Sequence, residues 1–165
     1  MSPGRRRVGL YERGLKSFGR SSLGNWYLRR IAPRIDPPLL RLTGGRVSSG
    51  YPVPVLLLTT IGAKSGQQRT LPLQYVTDGE RLILIASNYG RKGDPAWYRN
   101  LVANPKVEVL AGKRSGSYTA TEITDPDDRK RTWALVLDQY AGYADYEERA
   151  GDRTIPLIRL ECEAR

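Results

Sequence analysis

The chain has no histidine among its 165 residues. That excludes histidine-based nucleophile triads and histidine-ligated metal centres. It has one cysteine, Cys162, so no internal disulfide can form. Such usage fits a reducing cytoplasm. With one cysteine and no histidine, no transition-metal site is expected. No apolar run approaches the ~18 residues of a membrane-spanning helix. The N-terminus is basic but lacks the apolar stretch of a secretory signal.

Acids are scarce at one end. Residues 1–50 hold two, Glu12 and Asp36, against eleven Lys/Arg, a net +9 of the chain's +10. The remaining 115 residues are nearly neutral. A basic segment of this kind attracts polyanions: nucleic acid, anionic lipid or the charged tail of a cofactor. Met1 to Arg7 reads as disordered. Residues 8–31 carry apolar side chains at roughly helical spacing, but Gly9, Gly14, Gly19 and Gly24 interrupt them, so a broken helix is expected there. Trp26 and Tyr27 beside Arg29 and Arg30 suit either a membrane interface or packing on the body. Asp36-Pro37 reads as the N-cap and first residue of a short helix ending at Gly44-Gly45.

The body is organised around one stretch, Val55 to Leu73. Apolar Val55 to Leu58, then Thr59 and Thr60, read as a strand. Gly62 and Gly66 read as turn glycines with positive φ. Thr70 to Val76 resumes as a second strand. Between them, Lys64, Ser65 and Arg69 could form an anion cradle, with amides turned inward and cations adding charge-assisted bonds. The bland alternative is a solvated hairpin turn. Ala63 stands where a Walker loop needs glycine, and Ser65-Gly66 lacks the spacing of a nucleophile elbow.

Six strands are expected, at 53–60, 69–77, 81–87, 106–111, 115–124 and 154–161. Asp78-Gly79 marks a hairpin. Leu82 to Ala86 is apolar throughout, as a strand buried on both faces would be. Val107 and Val109 alternate with Lys106 and Glu108, which suits a half-buried strand. Asp94-Pro95 and Asp125-Pro126 read as helix starts, and a further short helix spans about Tyr143 to Arg149. Hairpins dominate, so a mainly β fold is expected: a closed or split barrel of about six mostly antiparallel strands with flanking helices. We expect a basic segment over residues 1–45 and one barrel domain over 46–165.

Four ordered motifs carry a resemblance. They are Leu57-Leu58-Thr59-Thr60-x-Gly62-x-Lys64-Ser65-Gly66-Gln67-x-Arg69-Thr70-x-Pro72-Leu73; Ala86-Ser87 before a glycine-bearing loop; Pro95-x-Trp97-Tyr98-x-Asn100-Leu101-x-Ala103-Asn104-Pro105; and Tyr140-x-Gly142-Tyr143-x-Asp145-Tyr146 followed by Asp152-Arg153-x-Ile155-Pro156. Together they resemble the deazaflavin-dependent nitroreductase and quinone reductase family over about residues 45–161. The resemblance implies a split β-barrel of the flavin-reductase type. It implies coenzyme F420, an 8-hydroxy-5-deazaflavin, as cofactor, and hydride transfer to a quinone, nitroaromatic or similar planar acceptor. By resemblance, Ala63, Lys64, Ser65, Gly66 and Arg69 hold the cofactor's phosphate and acidic tail. Leu71, Pro72 and Leu73 run along its ring, with Ser87 and Asn88 at the far edge and Ala96, Trp97 and Asn100 on the other side. Gln74, Tyr140, Tyr143 and Tyr146 wall the acceptor pocket, and Ser87 and Tyr143 carry catalysis.

The residues themselves are compatible with that assignment. A cofactor charged at one end and aromatic at the other needs a basic cradle and a flat apolar slot. Deazaflavin chemistry needs no protein nucleophile and no metal. Read without the resemblance, Trp97, Tyr98 and the tyrosines at 140, 143 and 146 would be core, the three sharing one helical face, and Arg129-Lys130-Arg131 would be a solvated helix face. Two departures alter the pocket wall: Asn88-Tyr89 follows Ser87 where many members have a cation, and Gln74 stands where an aromatic is common. Two other readings stay open: a non-catalytic deazaflavin carrier with a basic arm, and an FMN-dependent reductase on the same fold. The expected location is cytoplasmic, with the basic arm a candidate for the inner membrane face. Nucleic acid is the less favoured partner, and the oligomeric state is not legible.

Overall fold

The computed structural model describes residues 30–49 and 53–163. The expectations placed on residues 1–29 lie outside the described residues. Six strands form one closed barrel: β1 (Val55–Ile61), β2 (Gln68–Asp78), β3 (Arg81–Ile85), β4 (Lys106–Leu110), β5 (Gly116–Glu122) and β6 (Leu157–Cys162). Their order is β1-β2-β3-β6-β5-β4, and β4 returns to β1. Every pairing is antiparallel. The expected six-stranded barrel is therefore the observed fold. Gly79 takes φ 61° in the two-residue connection between β2 and β3, where Asp78 pairs with Arg81.

Two apolar clusters follow from strand alternation. Leu56, Leu58, Leu82, Leu84, Val107, Val109, Tyr118, Ile158 and Leu160 fill the barrel, with Trp97 and Leu101 packed among them. Each leucine withdrawn from water here contributes about 1.5–3 kcal/mol. The alternate residues Ile83, Ile85 and Leu157, with Val76, face outward and pack on helices. Leu82 to Ala86 is buried throughout, because β3 is covered on both sides. β4 keeps the expected alternation, with Val107 and Val109 inward and Lys106 and Glu108 exposed.

Among the described residues four α-helices surround the barrel: α1 (Ala32–Leu42), α2 (Ala96–Ala103), α3 (Pro126–Gln139) and α4 (Tyr143–Ala150). Asp125 caps α3 as expected, its Oδ1 accepting the Asp128 amide at 2.9 Å. Two expected helix starts need correction. α1 begins at Ala32, not after Asp36, because Pro33 offers a pre-set φ one turn earlier. Asp36 then lies inside the helix, buried, and its Oδ1 accepts the Ser49 amide at 2.6 Å. Asp94 does not cap α2; Pro95 does, with no side-chain bond, and Asp94 instead pairs with Arg153 at 3.0 Å.

Gly44-Gly45 ends α1 as expected and also docks it. The Gly112 amide donates to Gly44 at 3.0 Å. A Cβ on Gly45, whose φ is 80°, would stand 2.5 Å from the Gly112 nitrogen. The basic run on α3 is not merely solvated. Arg129 donates to the Ile155 carbonyl at 2.7 Å, and Arg131 bridges Asp78 and Asp128 at 2.8 and 3.0 Å.

Candidate functional site

A cavity of about 370 Å³ opens where the two apolar clusters meet. That volume lies within the range of small-molecule sites. Leu71, Pro72, Leu73 and Gln74 of β2 form one side, Ile85 and Ser87 follow β3, and Trp97 enters from α2. Tyr140, Tyr143 and Tyr146 close the far side. The three tyrosines do not share one helix, as their spacing suggested. Tyr140 ends α3, and Tyr143 and Tyr146 lie on α4. The turn between the helices gathers them edge to face, with ring centroids 5.5 Å (140 to 143) and 5.7 Å (143 to 146) apart.

Ser87 is buried at the end of β3. The short 3-10 turn after it, Asn88–Gly90, runs through left-handed backbone at Asn88 (φ 48°) and Tyr89 (φ 57°). Asparagine tolerates this; tyrosine does so at a cost of about 1–3 kcal/mol. Arg153 over-determines the segment. It donates to the Ser87 carbonyl at 2.6 Å, to Ala86 at 3.3 Å and to Asp94 at 3.0 Å. The turn is also pressed on α4: a Cβ on Gly90 would stand 2.8 Å from the Tyr146 carbonyl oxygen. Tyr89 thereby reaches the cavity wall and meets Tyr146 edge to face at 5.9 Å. Gln74 lines the cavity while Tyr75 packs toward the barrel interior. Tyr89 thus supplies an aromatic wall near a strand that lacks one.

The Lys64–Arg69 turn stands apart from the cavity lining. Its side chains are exposed, and among the described residues Lys64 makes no ion pair. Arg69 donates to the Gln67 side chain at 3.1 Å. The amides of Gly62 and Gly66 are spent inside the turn, and that of Gln67 on Ser65 Oγ at 3.4 Å. Only Gly66 has the expected positive φ, 65°. At Gly62 a Cβ would sit 2.7 Å from Ser65 Oγ and 3.3 Å from the Gln67 carbonyl oxygen, so a side chain there would displace the serine hydroxyl and crowd the turn. Asn100 joins the turn to the cavity. Its Oδ1 accepts the Ala63 amide at 3.0 Å and its Nδ2 donates to Thr60 at 3.1 Å. Trp97 lies one helical turn away on the same helix. Ala96, like Asn100, is not part of the cavity lining.

Sequence reasoning missed a whole side of the cavity. Ala32, Pro33 and Asp36 of α1, then Ser49, Val53 and Val55, line it, whereas the charge pattern sets residues 1–45 apart from the barrel. The available signal was Asp36, one of two acids in a segment of eleven cations. Among the described residues no cluster of three potential metal ligands occurs.

Burial sets the acid–base character of the tyrosines. Desolvation holds the Tyr143 hydroxyl far above its ordinary value, with Tyr146, Tyr140 and Tyr89 adding to the effect. Desolvation pushes Tyr146 up to about 12. Both are therefore neutral hydrogen-bond donors at physiological pH.

Residues 33–161 match the family model described as F420H(2)-dependent quinone reductase. A relative from Mycobacterium tuberculosis, named an F420H(2)-dependent quinone reductase, is 36% identical over 145 residues, or 84% of this chain and 97% of the relative. A solved structure described as an F420-H2 dependent reductase superposes with a TM-score of 0.58 at 37% identity, over 66% of this chain and 94% of its own. Another, described as a domain-swapped dimer, gives 0.61 at 32% identity, over 84% and 99%.

The raised tyrosines make stability depend on alkaline pH. Folded hydroxyls that hold their protons above the ordinary value of 10.0 contribute fully below pH 10, and the contribution is lost as pH rises toward about 12. Between neutral pH and pH 10 the tyrosines should leave urea midpoints unchanged, and above pH 10 the midpoints should fall, with tyrosinate absorbance lagging that of the unfolded chain. Simultaneous ionisation of all ten tyrosines near pH 10 in the intact fold would contradict this.

Proposed function

The chain belongs to the F420H(2)-dependent quinone reductase family, and we propose that it binds coenzyme F420 between the Lys64–Arg69 turn and the cavity and reduces a quinone or similar planar acceptor there. The observation that carries this reading is the stitching of the cationic turn to the cavity through α2, by Asn100 and Trp97. One end suits an anionic tail and the other a flat apolar ring, so the residues present fit the cofactor. When bound, reduced F420 supplies two electrons as a hydride.

The chain's own residues do the rest. Lys64 and Arg69 neutralise the tail with their side chains, because most of the turn's amides are already spent. Leu71, Pro72, Leu73 and Trp97 hold the ring and exclude water. Ser87, with Asn88 beside it, is held at the ring's edge by Arg153. Tyr143 and Tyr146 present neutral hydroxyls to the acceptor, where developing negative charge on an oxygen is stabilised by preorganised donors. Gln74 and Tyr140 complete the acceptor's wall.

Anaerobic mixing of F420H2, 1,4-naphthoquinone and enzyme, without metal, should oxidise the cofactor, and reduced FMN should be a poor substitute. Replacing both Lys64 and Arg69 by alanine should weaken F420 binding. Each charge-assisted contact is worth roughly 1.5–3 kcal/mol, toward the lower end for exposed groups. Binding without turnover would favour the carrier reading. Preference for FMN would favour the flavin reading. Unchanged F420 affinity in the double variant would remove the turn from the site.

We also propose that the α1 face docks on anionic membrane. Ile35, Leu42 and Val47, three of the four large apolar side chains exposed among the described residues, stand beside exposed Arg34, Arg41 and Arg46. No helix among the described residues is long and apolar enough to cross a membrane, so attachment would be peripheral. Each cation near an anionic surface contributes about 1 kcal/mol. Full-length protein should pellet with anionic vesicles at low salt and be released by high salt. Protein that stays in the supernatant at low salt would rule this out.

A further inference from the structure

Resting on the reading of the cavity as the acceptor site, we propose that Asp36 is a specificity-determining residue, whose carboxylate accepts a hydrogen bond from an N–H or O–H group carried by the acceptor. Among the described residues Asp36 is the one charged side chain that lines the cavity. It is 4% exposed, and no cation pairs with it among the described residues. Burying a carboxylate without a full set of partners is costly, so the site favours a ligand that supplies one.

The carboxylate is half engaged. Its Oδ1 accepts the Ser49 amide at 2.6 Å, which ties α1 to the segment returning to the cavity. Its Oδ2 accepts no hydrogen bond among the described residues, yet it is not one of the buried side-chain atoms sealed from solvent without a partner. Oδ2 therefore keeps surface that a ligand atom can touch. On the same side of the cavity the side chains of Ala32, Pro33, Val53 and Val55 add only apolar surface, and the Ser49 hydroxyl is sealed off. A carboxylate accepts and does not donate. An unsubstituted quinone has only acceptor oxygens, so it would leave Oδ2 unpaired. A quinone with an amino or hydroxyl substituent pairs it, while Tyr143 and Tyr146 donate to a ring oxygen. A site built around a buried hydrogen-bonding group discriminates strongly against an analogue that lacks the matching group.

The test is calorimetric titration of the full-length chain loaded with oxidised F420, which cannot turn over. The probes are 2-amino-1,4-naphthoquinone and 2-methyl-1,4-naphthoquinone, nearly equal in shape and different in the donor. The parent should bind the amino probe about tenfold more tightly, the lower end of what a hydrogen bond to a charged group contributes. Asp36→Asn keeps an oxygen for the Ser49 amide and places an NH2 where Oδ2 stood, so its preference should fall below about twofold. A parent that binds the methyl probe as tightly as the amino probe would overturn the proposal, and that comparison needs no variant. So would Asp36→Asn that keeps the parent's preference, which would trace it to the effect of the amino group on the ring carbonyls. Loss of F420 binding in Asp36→Asn, in place of lost preference, would assign the carboxylate to the cofactor and overturn the proposal as well. A parent that binds neither probe would remove the acceptor reading, and the proposal with it.

Discussion

Closure of a six-stranded barrel is the constraint from which the rest follows. So few strands leave room inside only for side chains. Leu56, Leu58, Leu84, Val109 and Leu160 occupy that space, and no ligand can share it. A binding site must therefore be built against the barrel's rim and outer wall, from elements the strands merely support. The cavity lies there, between β2, the end of β3 and three of the helices.

The supporting elements divide the work. α2 puts Trp97 into the cavity and Asn100 on the cationic turn, so one helix contacts both halves of the site. Arg153 holds the Ser87 carbonyl and keeps an unfavourable backbone at Tyr89 in place. That spends conformational energy to bring an aromatic ring to the wall. The tyrosine cluster shares the same packing, and the burial that seats Tyr143 also raises the cost of ionising its hydroxyl.

The barrel was legible in the sequence because its signals are local. Alternation in β4, the apolar run of β3 and the Asp-Gly turn each arise within a few residues. The family motifs brought Ser87, Trp97 and Tyr143 to attention, and all three line the cavity. What escaped the sequence was long-range. The Asp36–Ser49 clasp spans an irregular segment, and nothing local distinguishes Asp36 from an ordinary N-cap before proline. Asp94 misled for the same reason: an Asp-Pro pair looks like a helix start, while its carboxylate is claimed by Arg153, 59 residues away. Tyr140, Tyr143 and Tyr146 looked like one helical stripe because spacing does not reveal the break at Gly142.

The central claim is that one ligand spans the cationic turn and the cavity through α2. Amide hydrogen exchange of the full-length chain, with and without oxidised F420, tests it most directly. The account predicts slowed exchange both at residues 62–69 and at 87–101, with residues 113–122 on β5 and the preceding turn unchanged. Protection confined to one of the first two regions, or appearing chiefly along β5, would contradict it.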